Sequence, residues 1–350
     1  MASLNKAAWL HKVNTPLEVG DAPMPTAGPG ELVIKNAAVA MNQVDNHMHD
    51  VGVFIQSYPA VFGCDVAGTV HEVGPEVTRF KVGDRVIGHT INLITSQPKD
   101  GAFQLYTVIS ASKAAILPPN IPFTEGVVLP TLIETAVCAL SVTEAGFALP
   151  GVPIPTLGLP YPSLNPAPAN KLVIVYGGSS GVGATTTQLA VAAGVTVIAI
   201  TSAKNANFSK SCGAADVFDY KDAEFVDKLV DVIKTKYSKS EFVGIVDAIA
   251  TDKTFPNDLA ILEKLGGGHL ACTHPPPAEG VPANVQAGMI FCVNDVVKPV
   301  FEGFVTEALE SGKLKCLPSP TVVGKGLEKV QEALEKCNAG VSATKLVVEL

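Results

Sequence analysis

The sequence predicts an α/β protein of two domains: a β-rich, barrel-like domain and a doubly wound parallel sheet. Three observations predict it. Residues 171–183, K-L-V-I-V-Y-G-G-S-S-G-V-G, read as a buried strand that breaks into a glycine-rich turn; a helix follows at 184–193, and a second apolar run, V-T-V-I-A-I-T, at 195–201. That is a complete strand–helix–strand unit. Beyond it the pattern keeps alternating between strand and helix, as a parallel sheet covered on both faces requires. Before it, residues 1–125 are a succession of short apolar runs separated by Gly/Pro turns, which suggests a partly closed antiparallel barrel.

In order, the short runs fall at 6–10, 31–41, 66–73, 85–88, 103–109 and 114–117, with turns such as Ala27-Gly28-Pro29-Gly30, Val73-Gly74-Pro75 and Val82-Gly83-Asp84 between them. Residues 123–147 turn helical, with Thr124 as N-cap and Gly146 as stop. Residues 147–170 hold seven prolines, which exclude a helix or a central strand. They read as an extended surface insert, either a tolerated loop or a lid or docking segment. The alternation then runs helix 203–213, strand 217–219, helix 223–237, strand 244–248, helix 253–264 and strand 269–273. In the second of these helices Phe225, Val226, Leu229, Val230 and Ile233 recur at helical spacing. Helices at 295–310 and 326–338 and a last strand, K-L-V-V-E-L, complete the chain.

Composition excludes several classes. In 350 residues, 47% are hydrophobic and 17% charged, enough for two cores and against disorder. A net charge of −8 argues against nucleic acid or anionic membranes as main partners. The seven cysteines, 64, 138, 212, 272, 292, 316 and 337, are odd in number and form no C-x-x-C, so buried thiols in a reducing compartment are expected. The N-terminus shows no signal-peptide pattern, and no apolar run approaches the roughly 18 residues of a membrane helix. A soluble cytoplasmic protein is the expectation.

The turn at 177–183 carries the chemistry. A glycine-rich strand-to-helix turn lets bare backbone amides meet a pyrophosphate at the positive end of a helix dipole. Gly178 and Gly183 fit the outer glycines of the G-x-G-x-x-G fingerprint, but the middle position is Ser180, with Gly181 beside it. In such folds an acidic residue after the second strand binds the ribose hydroxyls of NAD. No Asp or Glu occurs from Val195 through Asn207; Ser202 and Lys204 stand there instead and suit a 2′-phosphate. NADPH is therefore expected over NADH. Ala248 and Thr273 end later strands of the same sheet and should face the ligand edge.

Several motifs in sequence together resemble the medium-chain dehydrogenase/reductase superfamily. These are 59–74 (P-A-V-F-G-C-D-V-A-G-T-V-H-E-V-G), Gly83-Asp84-Arg85-Val86, the loop Gly178–Gly183, Gly213-Ala214-Ala215-Asp216, Gly312-Lys313-Leu314 and Lys345-Leu346-Val347. The resemblance implies a GroES-like catalytic domain over 1–125 and 311–350, and a Rossmann domain over 126–310. The zinc alcohol dehydrogenases of that superfamily need a cysteine near Asn42 and a His-Glu pair where this chain has Cys64-Asp65. No metal site is therefore expected, and the chain is more similar to the zinc-independent branch. That branch contains quinone oxidoreductases, enoyl reductases and fungal stand-alone reductases that act with polyketide synthases; Asn42-x-x-Asp45 resembles its N-x-x-D motif.

The same resemblance implies the site. Ser179, Ser180, Gly181 and Val182 would complete the phosphate loop, and Tyr220 would lie at the adenosine end. Thr135 would hold the nicotinamide carboxamide, Phe291 and Val293 would pass the nicotinamide, and Lys345 would serve the cofactor. His47 stands where fungal relatives often carry a lysine. It could polarise a carbonyl or be a structural histidine, with His49 and His274 weaker candidates. The implied activity is hydride transfer from NADPH to the activated C=C of an α,β-unsaturated carbonyl; a quinone reductase and a non-catalytic NADPH-binding partner protein are the alternatives. A polyketide synthase partner is compatible with it. So are a monomer and a homodimer built through the apolar stretch 287–293.

Overall fold

The computed structural model describes residues 5–350, and the chain divides into two compact units: Met1–Thr131 with Phe301–Leu350, and Leu132–Val300. The first unit opens with β1 (Asn5–Trp9) and β2 (Glu18–Ala22), an antiparallel hairpin. Then come β3 (Glu31–Ala40), helix α1 (Gln43–Val51), β4 (Asp65–Val73), β5 (Arg85–His89), β6 (Tyr106–Ser110) and β7 (Ala114–Ile116). Helix α1, which no apolar spacing announces, is polar on several positions, and its far face is held by hydrogen bonds rather than by a greasy stripe.

The boundary between the units falls inside helix α2 (Pro130–Leu140), not at 125. Asp65 is the reason: its Oδ1 accepts the Thr131 amide at 2.6 Å and the Thr131 hydroxyl at 2.7 Å, tying the helix start to β4. The helix expected over 123–147 is also shorter. Pro130 disfavours helical backbone before it, and the chain enters α2 afresh after a one-turn helix at Phe123–Gly126. The stretch Phe123–Leu140 has the length and hydropathy of a membrane span but is 83% buried inside the protein, as a core helix is.

The proline-rich insert is more structured than a free loop. It contains a two-stranded hairpin, β8 (Phe147–Leu149) and β9 (Val152–Pro153), and buries Leu157 and Leu159. The Leu159 amide donates to the Leu140 carbonyl at 2.8 Å and that of Gly158 to Val142 at 3.0 Å. The insert thus satisfies the Leu140 carbonyl, which the last turn of α2 leaves open, and the Val142 carbonyl just beyond the helix.

The second unit then builds β10 (Lys171–Tyr176), α3 (Gly181–Ala192), β11 (Thr196–Thr201), β12 (Asp216–Asp219), α4 (Phe225–Lys236), β13 (Glu241–Asp247), α5 (Phe255–Leu265), β14 (Gly268–Cys272) and β15 (Val285–Met289). All pairings are parallel, in the order β12-β11-β10-β13-β14-β15. This is the doubly wound sheet, with its strand order reversing between β10 and β13. Leu172, Ile174, Ile198 and Ile245 point to one face, against Leu229 of α4 and Ile261 of α5. Each such buried aliphatic side chain contributes about 1.5–3 kcal/mol.

The chain returns to the first unit through α6 (Val305–Glu310), β16 (Pro320–Lys325), α7 (Val330–Asn338) and β17 (Lys345–Glu349). The return begins at 301 rather than 311: Thr306 donates to the Ile116 carbonyl at 3.2 Å and Arg79 pairs with Glu302 at 3.7 Å. The sheet order is β16-β17-β3-β4-β5-β7, with β6 on β3. It is mixed rather than wholly antiparallel, because β16 and β17 run parallel. Helix α7 supplies the partners for α1: Asn46 donates to the Leu334 carbonyl at 2.8 Å and Gln43 to Cys337 at 3.2 Å.

The insert also covers one face of β15. A Cβ on Gly288 would lie 2.6 Å from the Pro155 nitrogen and 2.7 Å from the Ile154 carbonyl carbon, so the strand is bare there to let another backbone lie on it. Gly288→Ala should destabilise by about 1–3 kcal/mol through overpacking and speed proteolysis between residues 150 and 160. Thermal melting and limited proteolysis check this; an unchanged cleavage pattern would mean the insert is not seated on β15.

Candidate cofactor site and catalytic cluster

Parallel register brings the expected cofactor residues to one edge of the second unit. Tyr176 lies beside Ile200 and Asp247, Thr201 beside Asp219, and Asp247 beside Cys272. The turns that follow, carrying Gly178 to Gly183, Ser202, Lys204, Tyr220, Ala248 and Thr273, therefore leave the sheet at the same carboxyl edge, where α/β sheets bind ligands.

The glycine loop is shaped by contact. Gly177 has φ +77°, and a Cβ on Gly183 would sit 2.2 Å from the Gly177 carbonyl oxygen. The two serines divide their work. Ser180 is the N-cap of α3: its Oγ accepts the Gly183 amide at 3.0 Å. The amides of Gly181 and Val182, in the first turn, have no intrahelical acceptor and are the ones available to a phosphate. Ser179 Oγ accepts the Thr201 hydroxyl at 2.8 Å and the Asn205 side-chain amide at 3.0 Å. Those two donors fill its lone pairs, so donation is the role its hydroxyl has left. The loop fits a dinucleotide: its cradle is closed to side chains and its helix end is positive.

Farther out, Ser202 is buried while Lys204 is exposed and Tyr220 half exposed. The turn at Ala248 is held from beneath. Asp247 Oδ1 accepts the Ile249 amide at 2.9 Å and Oδ2 the Thr254 hydroxyl at 2.5 Å. Burial, with Asp247 beside it, holds the Asp258 carboxyl well above the usual carboxylate range. The Thr273 amide donates to the Asp247 carbonyl at 3.2 Å. On the last turn of the sheet, Thr135 of α2 is buried, and its Oγ1 lies 2.9 Å from Cys292 Sγ, between Phe291 and Val293.

The first unit holds a charged, hydrogen-bonded cluster of its own residues. Lys345, expected at the cofactor, is buried with its Nζ 2.6 Å from Asp65 Oδ2 and 2.9 Å from Asn42 Oδ1. Asn42 Nδ2 donates to the same Asp65 oxygen at 2.9 Å. The Asn42 amide, at the start of α1, donates to Asp45 Oδ2 at 2.7 Å. Desolvation pushes Asp45 up to about 7, with the Asp65 charge adding to it. His47 is an exposed residue of α1 whose carbonyl helps cap the helix through Gly52 and Val53. His49 is a structural histidine, its ring bonded to Asp50 at 2.6 Å and to the Thr15 carbonyl at 2.9 Å.

This donor set does not fit a catalytic zinc, which needs three ligands converging on an open position. Asp65 accepts four hydrogen bonds, from Lys345, Asn42 and the amide and hydroxyl of Thr131. A lysine ammonium occupies the place of a cation. Sequence reasoning missed Asp65 as the organiser, along with Asp247 and Asn205. The partners of Asp65 and Asn205 are distant in the chain, and the bonds of Asp247 to the nearby Ile249 and Thr254 follow no apolar period that would mark them.

Two outcomes follow for this geometry. Ser180→Ala removes the cap, and should lower stability by about 1 kcal/mol while weakening dinucleotide binding; calorimetry and a titration measure both. Asp45 is an acid whose folded pKa is raised, so its contribution is complete below pH 3.8 and is lost as pH rises toward about 7. The stability difference between wild type and Asp45→Asn should therefore change by roughly 4 kcal/mol across that window. Urea midpoints at several pH values test it, and a pH-independent difference would reject a neutral buried Asp45.

Comparison with known proteins bears on the fold and the family. Residues 28–119 match the alcohol dehydrogenase GroES-like domain, and residues 181–289 match the zinc-binding dehydrogenase family. The chain is 64% identical to dehydrogenase orsE of Emericella nidulans, over 99% of each chain. It is 38% identical to trans-enoyl reductase himH of Aspergillus japonicus, over 100% of this chain and 99% of the other. Among solved structures, an alcohol dehydrogenase superfamily protein from Novosphingobium aromaticivorans shares the fold with a TM-score of 0.77 at 18% identity, over 99% of this chain and 100% of the other. The chain belongs to the medium-chain dehydrogenase/reductase superfamily of oxidoreductases, with its GroES-like domain and its Rossmann-type sheet.

Proposed function

We propose that the protein is a zinc-independent, NADPH-dependent reductase of the activated C=C bond of an α,β-unsaturated carbonyl. The observation that carries the reading is the cluster Asn42–Asp65–Lys345, in which a buried ammonium is bonded to Asn42 and Asp65, positions that the resemblance matches to the zinc-site motifs of the alcohol dehydrogenases. When bound, NADPH would supply the hydride for the substrate's β-carbon, with a proton from solvent completing the reduction. The amides of Gly181 and Val182 and the hydroxyl of Ser179 would hold the pyrophosphate. Ser202 and Lys204 would take the 2′-phosphate, and a carboxylate, which would repel it, is absent from 195–207. Thr135 would fix the carboxamide, and Ala248, Thr273, Phe291 and Val293 would line the rest. The name of himH, a trans-enoyl reductase 38% identical over the whole chain, supports C=C chemistry.

The test follows NADPH absorbance with enals, enones, enoyl thioesters and quinones. Turnover of enones or enoyl thioesters is the expected result. Turnover of quinones alone would make it a quinone reductase, and tight NADPH binding without turnover would make it a binding protein. Lys204→Ala should raise KM for NADPH by about fivefold and leave that for NADH unchanged; equal effects on both would remove the 2′-phosphate assignment.

A further inference from the structure

Beyond β15 the chain makes a strained turn. Val293, a β-branched residue, has φ +70°, a conformation that costs on the order of 1–3 kcal/mol and persists only where surrounding bonds impose it. Two bonds impose it here, both from consecutive residues of α2. Thr135 Oγ1 meets Cys292 Sγ at 2.9 Å, and the Asn294 amide donates to Glu134 Oε1 at 3.0 Å. They bracket Val293 on either side. Asn294 Oδ1 then accepts the Val296 amide at 3.0 Å, starting the next helical turn. Glu134 is fully buried. A carboxylate is an expensive way to fill a core position, and this one accepts a backbone amide of the turn.

We propose that Glu134 is a positioning residue that, with Thr135, clamps the turn 291–294 in the shape that receives the nicotinamide end of the cofactor. This rests on the cofactor-site reading of Thr135, Phe291 and Val293. The clamp explains why adjacent helix residues are both polar and both buried: one would face the ligand and the other the segment that closes around it. Glu134 acts through Asn294 and Val293.

The experiment compares two ligands. NADPH carries the nicotinamide; 2′-phospho-ADP-ribose has the same adenosine and phosphates without it. Glu134→Met fills the volume but cannot accept the Asn294 amide, and Glu134→Gln keeps an acceptor oxygen. Calorimetric titration should show NADPH binding weakened about tenfold in Glu134→Met. Binding of 2′-phospho-ADP-ribose should be unchanged, and Glu134→Gln should restore NADPH affinity to within about threefold of wild type. Equal weakening of both ligands, or weakening of neither, overturns the clamp. Should Glu134→Met fail to fold, Cys292→Ala, which breaks the other bond, must show the same selective loss. If wild type binds the two ligands equally, the nicotinamide reading of Thr135 fails and the clamp with it; if wild type binds both but prefers NADPH and the variants do not differ, the clamp alone fails.

Discussion

A Cβ on Gly183 would lie 2.2 Å from the carbonyl oxygen of Gly177, and much of the second unit depends on that contact being possible. The chain leaves β10 and enters α3 almost without a gap, so the helix starts close above the sheet edge. Its positive end then stands at the point where the strand order reverses. Because all strands are parallel, β11, β13 and β14 deliver their own turns to the same edge. Any side chain at 183 would push α3 away from the edge to which the other turns run.

The first unit is organised by charge instead. A buried ion pair is not in itself a source of stability, since taking both charges from water costs about as much as their attraction returns. What makes the pair of Lys345 and Asp65 tolerable is complete bonding: Asp65 accepts four hydrogen bonds, including the first-turn amide of α2. Asp45, in the first turn of α1, shows the opposite case. It takes the Asn42 amide and lies beside the Cys64 thiol, while the Asp65 charge opposes its own. Desolvation wins there, and its carboxyl is pushed up to about 7. Among the described residues Asp45 has no ammonium within hydrogen-bond distance of its own, and burial dominates its carboxyl.

This contrast shows what the sequence could and could not carry. The parallel sheet was legible because its strands are continuous apolar runs such as 172–176 and its helices repeat at 3.6 residues, both local patterns. The glycine loop was legible for the same reason, and the lack of an acid after β11 needed only thirteen residues, Val195 to Asn207. Lys345 and Asn42, by contrast, meet across a separation of 303 residues, and Asp65 and Lys345 across 280. Nothing in either neighbourhood announces the other. Helix α1 escaped because hydrogen bonds to α7 hold it in place of an apolar stripe. The insert escaped because its prolines exclude regular structure but say nothing of the Leu140 carbonyl that Leu159 takes up.

The serine pair in the phosphate loop then becomes intelligible as an exchange. Ser180 consumes the Gly183 amide as a cap, so the helix end offers a phosphate fewer amides than a bare glycine loop would. Ser179 returns a donor, oriented because Thr201 and Asn205 fill its acceptor positions. Thr201 ends β11 and Asn205 closes the turn after it, the same turn that holds Ser202 and Lys204. The pyrophosphate end and the 2′-phosphate end of the proposed site are therefore joined by direct hydrogen bonds. Lys204 itself is exposed, and an exposed cation on a flexible stem contributes only about 1 kcal/mol to an ion pair. In the NADPH reading, selectivity between the two dinucleotides must accordingly draw on the bonded Ser179–Thr201–Asn205 turn as well as on the charge, because the charge alone is too weakly held to supply more than about a fivefold preference.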